Sequence, residues 1–475
     1  MISSESIDAL LARRLQTQRE AFLRDGPPSA NRRRNDLTKL KRALIARRSD
    51  IERAIQADFG HRATHETAIM ELLTLVNGID YLRRRLHRWM RPERRPTPWQ
   101  LQPARSYVLY QPVGVVGIVA PWNYPLSLAL MPLATALAAG NRAMIKPSES
   151  TPATSALLEA ILSELFDKEQ VAVVTGDAIV GAAFSALPFD HLLFTGSTEV
   201  GRKVMQAAAA NLVPVTLELG GKSPVVIEPG HGEAAAESIA YGKLANAGQT
   251  CIAPDYVLLP QQEMDTFVDA YDRAVRRLYP EGPDSVDYTS IIDERHHRRL
   301  LTLLDDARKK GARIIEVGNR QRNARNARDA MRKLAPVLVT GATDDMLIMQ
   351  QEIFGPLLPV LTYEDIDEAI DFINARPRPL ALYSFGAQGA SREKLLTRTT
   401  AGNVTINNTL MHYAQDALPF GGIGLSGMGA YHGVEGFRAL SHAKGILVQS
   451  RWQLGKLLRP PYGFIANAII KAMLR

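Results

Sequence analysis

Val113-Gly-Val-Val-Gly-Ile-Val-Ala120 is an apolar run interrupted only by two glycines. Continuous rather than alternating burial is the mark of a parallel strand covered on both faces. Working outward, similar runs recur at 142–145, 171–174, 191–194 and 213–217, with helical patterns between them around 126–139, 151–166, 178–186 and 199–210. Strand–helix alternation of this kind predicts a doubly wound sheet of the nucleotide-binding type. After residue 222 the alternation starts again. Strands are expected at 225–227, 256–259, 336–339, 359–361 and 403–406, and helices near 233–247, 263–279, 293–310 and 365–375. Two α/β domains joined near 218–222 account for both rounds.

Upstream, the stretch from Asp36 to about Met90 reads as helical, with Leu37, Leu40, Leu44, Ile51 and Ile55 at helical spacing and a second helix after Thr64. Pro92, Pro96, Pro98 and Pro103 then break the chain, and the short aromatic stretch 106–110 reads as an exposed strand. At 475 residues, 46% hydrophobic and 22% charged, the chain is too long for one core. A single cysteine, Cys251, excludes an internal disulfide and any Cys-rich metal site, so no metal is expected. The first 24 residues lack the apolar centre of a signal peptide. The apolar stretches at 113–121 and 126–139 fall short of the roughly 20 residues a membrane helix needs, so a cytoplasmic location without a transmembrane segment is expected.

The net charge of +8 is concentrated early, with 22 Lys and Arg against 12 Asp and Glu in residues 1–110. The runs Arg32-Arg33-Arg34 and Arg83-Arg84-Arg85 fall in helical patterns without interleaved aromatics, which points to solvated helix faces and not to nucleic acid. Near the C-terminus, Phe464-Ile-Ala-Asn-Ala-Ile-Ile470 is amphipathic, suited to a partner subunit or a membrane surface and too short to span one.

Six stretches carry chemistry. In Phe194-Thr-Gly-Ser-Thr-Glu-Val-Gly201 a strand ends at Gly196 and a helix begins, offering free N–H groups and a positive dipole end to a phosphate. It lacks the full Gly-x-Gly-x-x-Gly fingerprint, and a plain strand-to-helix turn explains it equally well. In Ile145-Lys-Pro-Ser-Glu149, Glu149 and Lys146 are placed at a strand end to hydrogen-bond ribose hydroxyls; a solvated helix start is the bland alternative. Gly248-Gln-Thr-Cys251 sets a thiol in a glycine-bearing polar segment, where nearby N–H groups favour a thiolate and can hold an oxyanion. Glu218, in Leu217-Glu-Leu-Gly-Gly-Lys222, and Glu352, in Gln351-Glu-Ile-Phe-Gly-Pro356, are carboxylates in apolar or glycine-flanked settings, fitted either to a site or to a structural ion pair. Asn123, in Pro121-Trp-Asn-Tyr-Pro125, offers an amide to a carbonyl oxygen or caps the following helix.

Together with Pro419-Phe-Gly-Gly422, and in this order and spacing across residues 35–445, these motifs resemble the aldehyde dehydrogenase superfamily. The resemblance implies Cys251 as nucleophile, Asn123 with the Cys251 N–H as oxyanion hole, and Glu218 as base. It implies Lys146 and Glu149 at the adenosine ribose, Gly196, Ser197 and Gly201 at the pyrophosphate, and Glu352 and Phe354 at the nicotinamide ribose, with Trp122 and Leu219 completing the cofactor site. NAD is the implied cofactor, NADP being possible. The tail Gly427-Met-Gly-Ala-Tyr-His432 looks like the class-3 group, and Gln415-Asp-Ala-Leu-Pro-Phe-Gly-Gly422 looks most like its bacterial members that oxidise coniferyl aldehyde. A medium- or long-chain fatty aldehyde is the alternative substrate, and a catalytically silent binding protein on this fold is the alternative of another class.

The implied layout is an NAD-binding domain from 1–102 and 116–219, a catalytic domain from 220–424, oligomerisation strands at 103–115 and 440–450 serving a homodimer, and a tail at 451–475. Met411, His412 and Tyr413 are candidates for the substrate mouth, and Tyr431 and His432 for the site or for core packing.

Overall fold

The computed structural model describes residues 6–318 and 331–474. The first five residues of the expected NAD-binding segment and the last residue of the tail lie outside them. The run at 113–120 forms a central strand, Val115–Val119, of a six-stranded sheet. Its order is Gly427–Met428, Val215–Leu219, His191–Gly196, Val115–Val119, Arg142–Lys146, Val171–Val173, parallel throughout except for the first pairing. Only covered faces permit Val115, Val116 and Ile118 to be buried in succession, and they are.

The covering helix Ser127–Ala139 is buried at every position. A helix apolar all round has no solvent face to offer, so it must lie inside the domain. It stops at Gly140, whose φ of 93° places it in the left-handed region favoured by glycine at helix ends. There the guanidinium of Arg33 donates to the carbonyls of Ala138 (3.1 Å) and Ala139 (2.7 Å), neutralising the negative end of the helix. One arginine of the early basic run is therefore a buried cap, and not a solvated side chain.

The second round builds a seven-stranded sheet ordered Arg313–Glu316, Val337–Thr340, Leu357–Tyr363, Tyr256–Pro260, Pro224–Ile227, Ala381–Phe385, Asn403–Ile406, with the first strand antiparallel. A three-stranded antiparallel sheet of Glu93–Arg95, Arg105–Pro112 and Ser441–Val448 stands apart, with Arg105 opposite Val448 and Pro112 opposite Ser441.

Four expectations are corrected. The helical stretch from 36 to 90 is three pieces, Ala30–Ala46, Arg48–Phe59 and a run from Thr64 to Trp89 whose middle, Thr67–Leu73, widens into a π-helical turn. The helix expected at 233–247 ends at Leu244, because Asn246 and Ala247 adopt left-handed φ of 53° and 52°. A helix at Ile7–Asp25 is additional: its buried face is only Leu11, Leu15, Gln18 and Ala21, too sparse to read. The strand Ala381–Phe385 is also additional, a five-residue apolar run between Pro379 and Gly386. The tail run forms the helix Phe464–Met473, with Phe464 and Ile465 exposed. Among the described residues no helix is long and apolar enough to cross a membrane, and no group of three or more His, Cys, Asp or Glu is placed to hold a metal.

Candidate active site

Glu218 lies in the strand Val215–Leu219, held between Thr195 on the parallel side and Gly427 on the antiparallel side. Its side chain is 3% exposed, and neither carboxylate oxygen has a hydrogen-bond partner. Cys251 follows the left-handed run Asn246, Ala247, Gly248. Two non-glycine residues in that region cost on the order of 1–3 kcal/mol each and persist only where the surroundings over-determine them. Here they do. The amide of Asn246 donates to Asn123 O and to Gln249 O, both at 3.1 Å. Gln249 donates to Asn246 O (2.9 Å) and Ser290 O (3.0 Å) and accepts from the Ile292 N–H (2.9 Å). At Gly248 any Cβ would run into the carbonyl oxygen of Gly355, so the backbones approach more closely than a side chain permits.

Asn123 is buried, and its Nδ2 donates to Gln249 O at 3.1 Å, leaving its second amide hydrogen unused. Its carbonyl accepts from Arg62 at 2.9 Å. Arg62 and Glu71 form a fully buried ion pair (3.1 Å), and the other Glu71 oxygen accepts the N–H groups of Leu126 (2.8 Å) and Ser127 (3.0 Å).

Two cavities meet here. One, of about 240 Å³, is walled by Met70, Leu73, Leu128, Tyr124, Phe420 and Tyr431, with Asn77, Thr74 and Ser127 as its polar points. The other, of about 270 Å³, is lined by Trp122, Asn123, Gly196, Ser197, Leu219, Glu352 and Phe354, together with His296 and Arg299. Thr195, Glu218 and Cys251 line both. The sequence model of the Aldehyde dehydrogenase family matches residues 10–446.

The chain belongs to the aldehyde dehydrogenase family.

This aldehyde dehydrogenase is 49% identical to a Pseudomonas aeruginosa protein named probable coniferyl aldehyde dehydrogenase, over 96% of this chain and 94% of that one. A solved Staphylococcus aureus AldH, described in a substrate-bound state, superposes with a TM-score of 0.91 at 38% identity, covering 98% of this chain and 99% of that one. A Mycobacterium tuberculosis aldehyde dehydrogenase complexed with NAD+ superposes with a TM-score of 0.83 at 28% identity, over 94% and 90% of the two chains.

The electrostatics of this aldehyde dehydrogenase reverse one expectation. Backbone N–H groups do pull the Cys251 thiol toward ionisation, but burial, with the nearby carboxyls of Glu352 and Glu218, outweighs them and pushes its pKa up to about 12. Burial alone lifts Glu218 well above the usual carboxylate range. Glu352 is pushed to about 8, first by burial and then by Asp255. Phe354 has a left-handed φ of 51° and meets Trp122 edge-on at 5.4 Å; His296 meets Trp122 edge-on at 4.8 Å.

Three of the cofactor residues read from sequence stand away from this cavity lining. Lys146 and Glu149 pair with each other at 3.0 Å, Lys146 buried and Glu149 half exposed. Gly201 abuts the strand instead: a Cβ there would lie 2.6 Å from Leu219, so the glycine lets the helix Thr198–Ala209 pack against the sheet. Met411 and Tyr413 line the first cavity, whereas His412 is turned away, its Nδ1 2.7 Å from Thr405 Oγ1. Tyr431 reaches the cavity, and His432 packs behind it against Phe420 and Tyr413. His296 and Arg299 were not legible from sequence. They sit in a helix remote along the chain, and Arg299 reaches the site by donating to the carbonyls of Glu352 and Ile353.

Proposed function

We propose that this enzyme oxidises a flat, conjugated aromatic aldehyde of the coniferyl type to its carboxylic acid, with NAD as the preferred acceptor and NADP as the possible alternative. The observation carrying this reading is the meeting of an aromatic-walled cavity with a second, helix-terminus-bounded cavity at Cys251 and Glu218. Tyr124, Tyr413, Phe420 and Tyr431 offer ring faces to a planar substrate, and Asn77, Thr74 and Ser127 offer hydrogen bonds to ring substituents. The name of the P. aeruginosa relative supports the same substrate class.

The second cavity fits a dinucleotide. The helix starting at Thr198, capped by Ser197, turns its positive end toward phosphate at Gly196 and Ser197. Glu149 is exposed enough to accept ribose hydroxyls, and its negative charge disfavours the extra phosphate of NADP. Glu352, Phe354, Trp122 and Leu219 enclose the far end. In this assignment the six-stranded sheet, with segments 1–102 and 116–219, is the cofactor domain, 220–424 the catalytic domain, and the strands in 103–115 and 440–450 join two subunits in a homodimer.

Cys251 Sγ adds to the aldehyde carbon as its proton passes to Glu218, directly or through water. The resulting alkoxide is held by the free amide hydrogen of Asn123 and the main-chain N–H of Cys251, worth about 3–4 kcal/mol where one such donor is removed from a comparable site. A nicotinamide held in the second cavity would supply the acceptor for the hydride lost from the substrate carbon. After Glu218 has passed its first proton to solvent, it deprotonates the water that attacks the thioester left on Cys251; the sulfur leaves as a thiolate, takes that proton back from Glu218, and the acid is released.

The test is a panel of cinnamyl-type, benzaldehyde-type and C10–C16 aliphatic aldehydes with NAD and NADP, following the reduced cofactor. A higher kcat/KM for cinnamyl-type aldehydes is expected; preference for the aliphatic series overturns the substrate assignment. Cys251→Ala is expected to bind NAD normally and to lack turnover.

A further inference from the structure

The strained loop before Cys251 is held from outside its own domain. The main-chain N–H of Asn246, the first left-handed residue, donates to Glu66 Oε1 at 3.0 Å. The other Glu66 oxygen accepts from Thr289 Oγ1 at 2.5 Å, and Thr289 Oγ1 accepts from the Ala63 N–H at 3.4 Å. Asn246 in turn bonds the carbonyls of Asn123 and Gln249, so one residue links Glu66 to both the nucleophile loop and the Asn123 segment. Glu66 itself sits in the short turn Thr64–Glu66, immediately before the π-helical turn Thr67–Leu73. A widened turn of that kind costs helix stability and recurs at functional sites. Four residues earlier Arg62 grips Asn123 O, so the same stretch touches the site twice.

We propose that Glu66 is a positioning residue of the reaction: its carboxyl clamps the Asn246 N–H, keeping residues 246–248 left-handed and Cys251 aimed between the two cavities. The inference rests on Cys251 being the nucleophile. Glu66 lines neither cavity, and its hydrogen bond toward the nucleophile loop is to Asn246, so it acts through Asn246. Nothing in local sequence propensity supplies this hold, since an alanine at 247 resists a left-handed φ and the Gly248 turn alone does not fix its neighbours. Burial raises the pKa of the Glu66 carboxyl, which makes the neutral amide of glutamine its nearest replacement.

Because Cys251 is the sole cysteine, the rate of its alkylation by iodoacetamide reports its placement without any turnover. Glu66→Ala and Glu66→Asp are expected to lower kcat and the alkylation rate by about 10²-fold, the size of effect seen for ångström-scale misplacement, with KM for NAD unchanged. Glu66→Gln, which keeps an acceptor for Asn246 and a partner for Thr289, restores both. Should Glu66→Ala fail to fold, Glu66→Asp, one methylene too short, carries the test. Alkylation and kcat in Glu66→Asp within about twofold of the parent overturn the proposal, as does a Gln variant as impaired as the Asp variant. If Cys251→Ala retains turnover, the nucleophile assignment falls instead, which the alkylation arm does not depend on.

Discussion

The Asn123 side chain donates to the carbonyl oxygen of Gln249 across 3.1 Å, two residues before Cys251. One amide hydrogen thereby hinges Asn123 to the nucleophile loop, and the other stays available to a developing oxyanion. We predict that Asn123→Ala lowers kcat by about 10²–10³-fold while NAD affinity holds, because a donor aimed at the transition state is lost along with a loop contact. Steady-state rates beside a cofactor-binding titration decide it; an unchanged kcat removes Asn123 from the oxyanion hole.

The thiol of Cys251 is pushed up to about 12 by burial and by the carboxyls of Glu352 and Glu218. A raised thiol pKa means the neutral form prevails near neutral pH. Alkylation of the cofactor-free protein is therefore expected to quicken about tenfold per pH unit through the neutral and mildly alkaline range. A plateau beginning near neutrality would show a thiolate already formed.

Glu352 rises from 4.5 to about 8, chiefly through burial. A group whose folded pKa exceeds its unfolded value contributes stability that is complete below 4.5 and is lost as pH climbs through about 8. The melting temperature of the parent is expected to fall relative to that of Glu352→Gln across this window. Parallel curves for the two proteins would contradict the assignment.

Arg62 and Glu71 are both fully buried and paired. Removing one partner leaves an uncompensated charge, so Arg62→Met is predicted to destabilise the fold by about 3–5 kcal/mol in urea denaturation. Adding Glu71→Leu to Arg62→Met recovers much of that loss; if the double variant is as unstable as the single one, the stranded charge is not the cause.

Most strands of the two large sheets were legible because parallel strands are written as short uninterrupted apolar runs, as in Val115–Val119 and Pro224–Ile227; Arg313–Glu316, Ala381–Phe385 and Gly427–Met428 were not read. Cys251, Glu218 and Asn123 were singled out as polar residues in glycine-rich or apolar company, and the fold brings all three to the lining of one cavity. The Ile7–Asp25 helix escaped because its few buried side chains include Gln18, whose amide is satisfied only by the distant carbonyls of Ala143 and Lys168. His296, Arg299 and Glu66 escaped for a related reason. Their value lies in contacts with segments roughly 50 to 220 residues away, and no local pattern encodes those partners. The raised thiol pKa escaped too, since desolvation belongs to the assembled cavity and not to the motif.

The two cavities share only Thr195, Glu218 and Cys251, so under the proposed assignment aldehyde and dinucleotide meet at three side chains and nowhere else. The first cavity's own walls come from the helical run at 69–77 and the loop at 410–414, neither of which lines the second cavity, so under that assignment changes there alter the choice of aldehyde before they alter the hold on the cofactor.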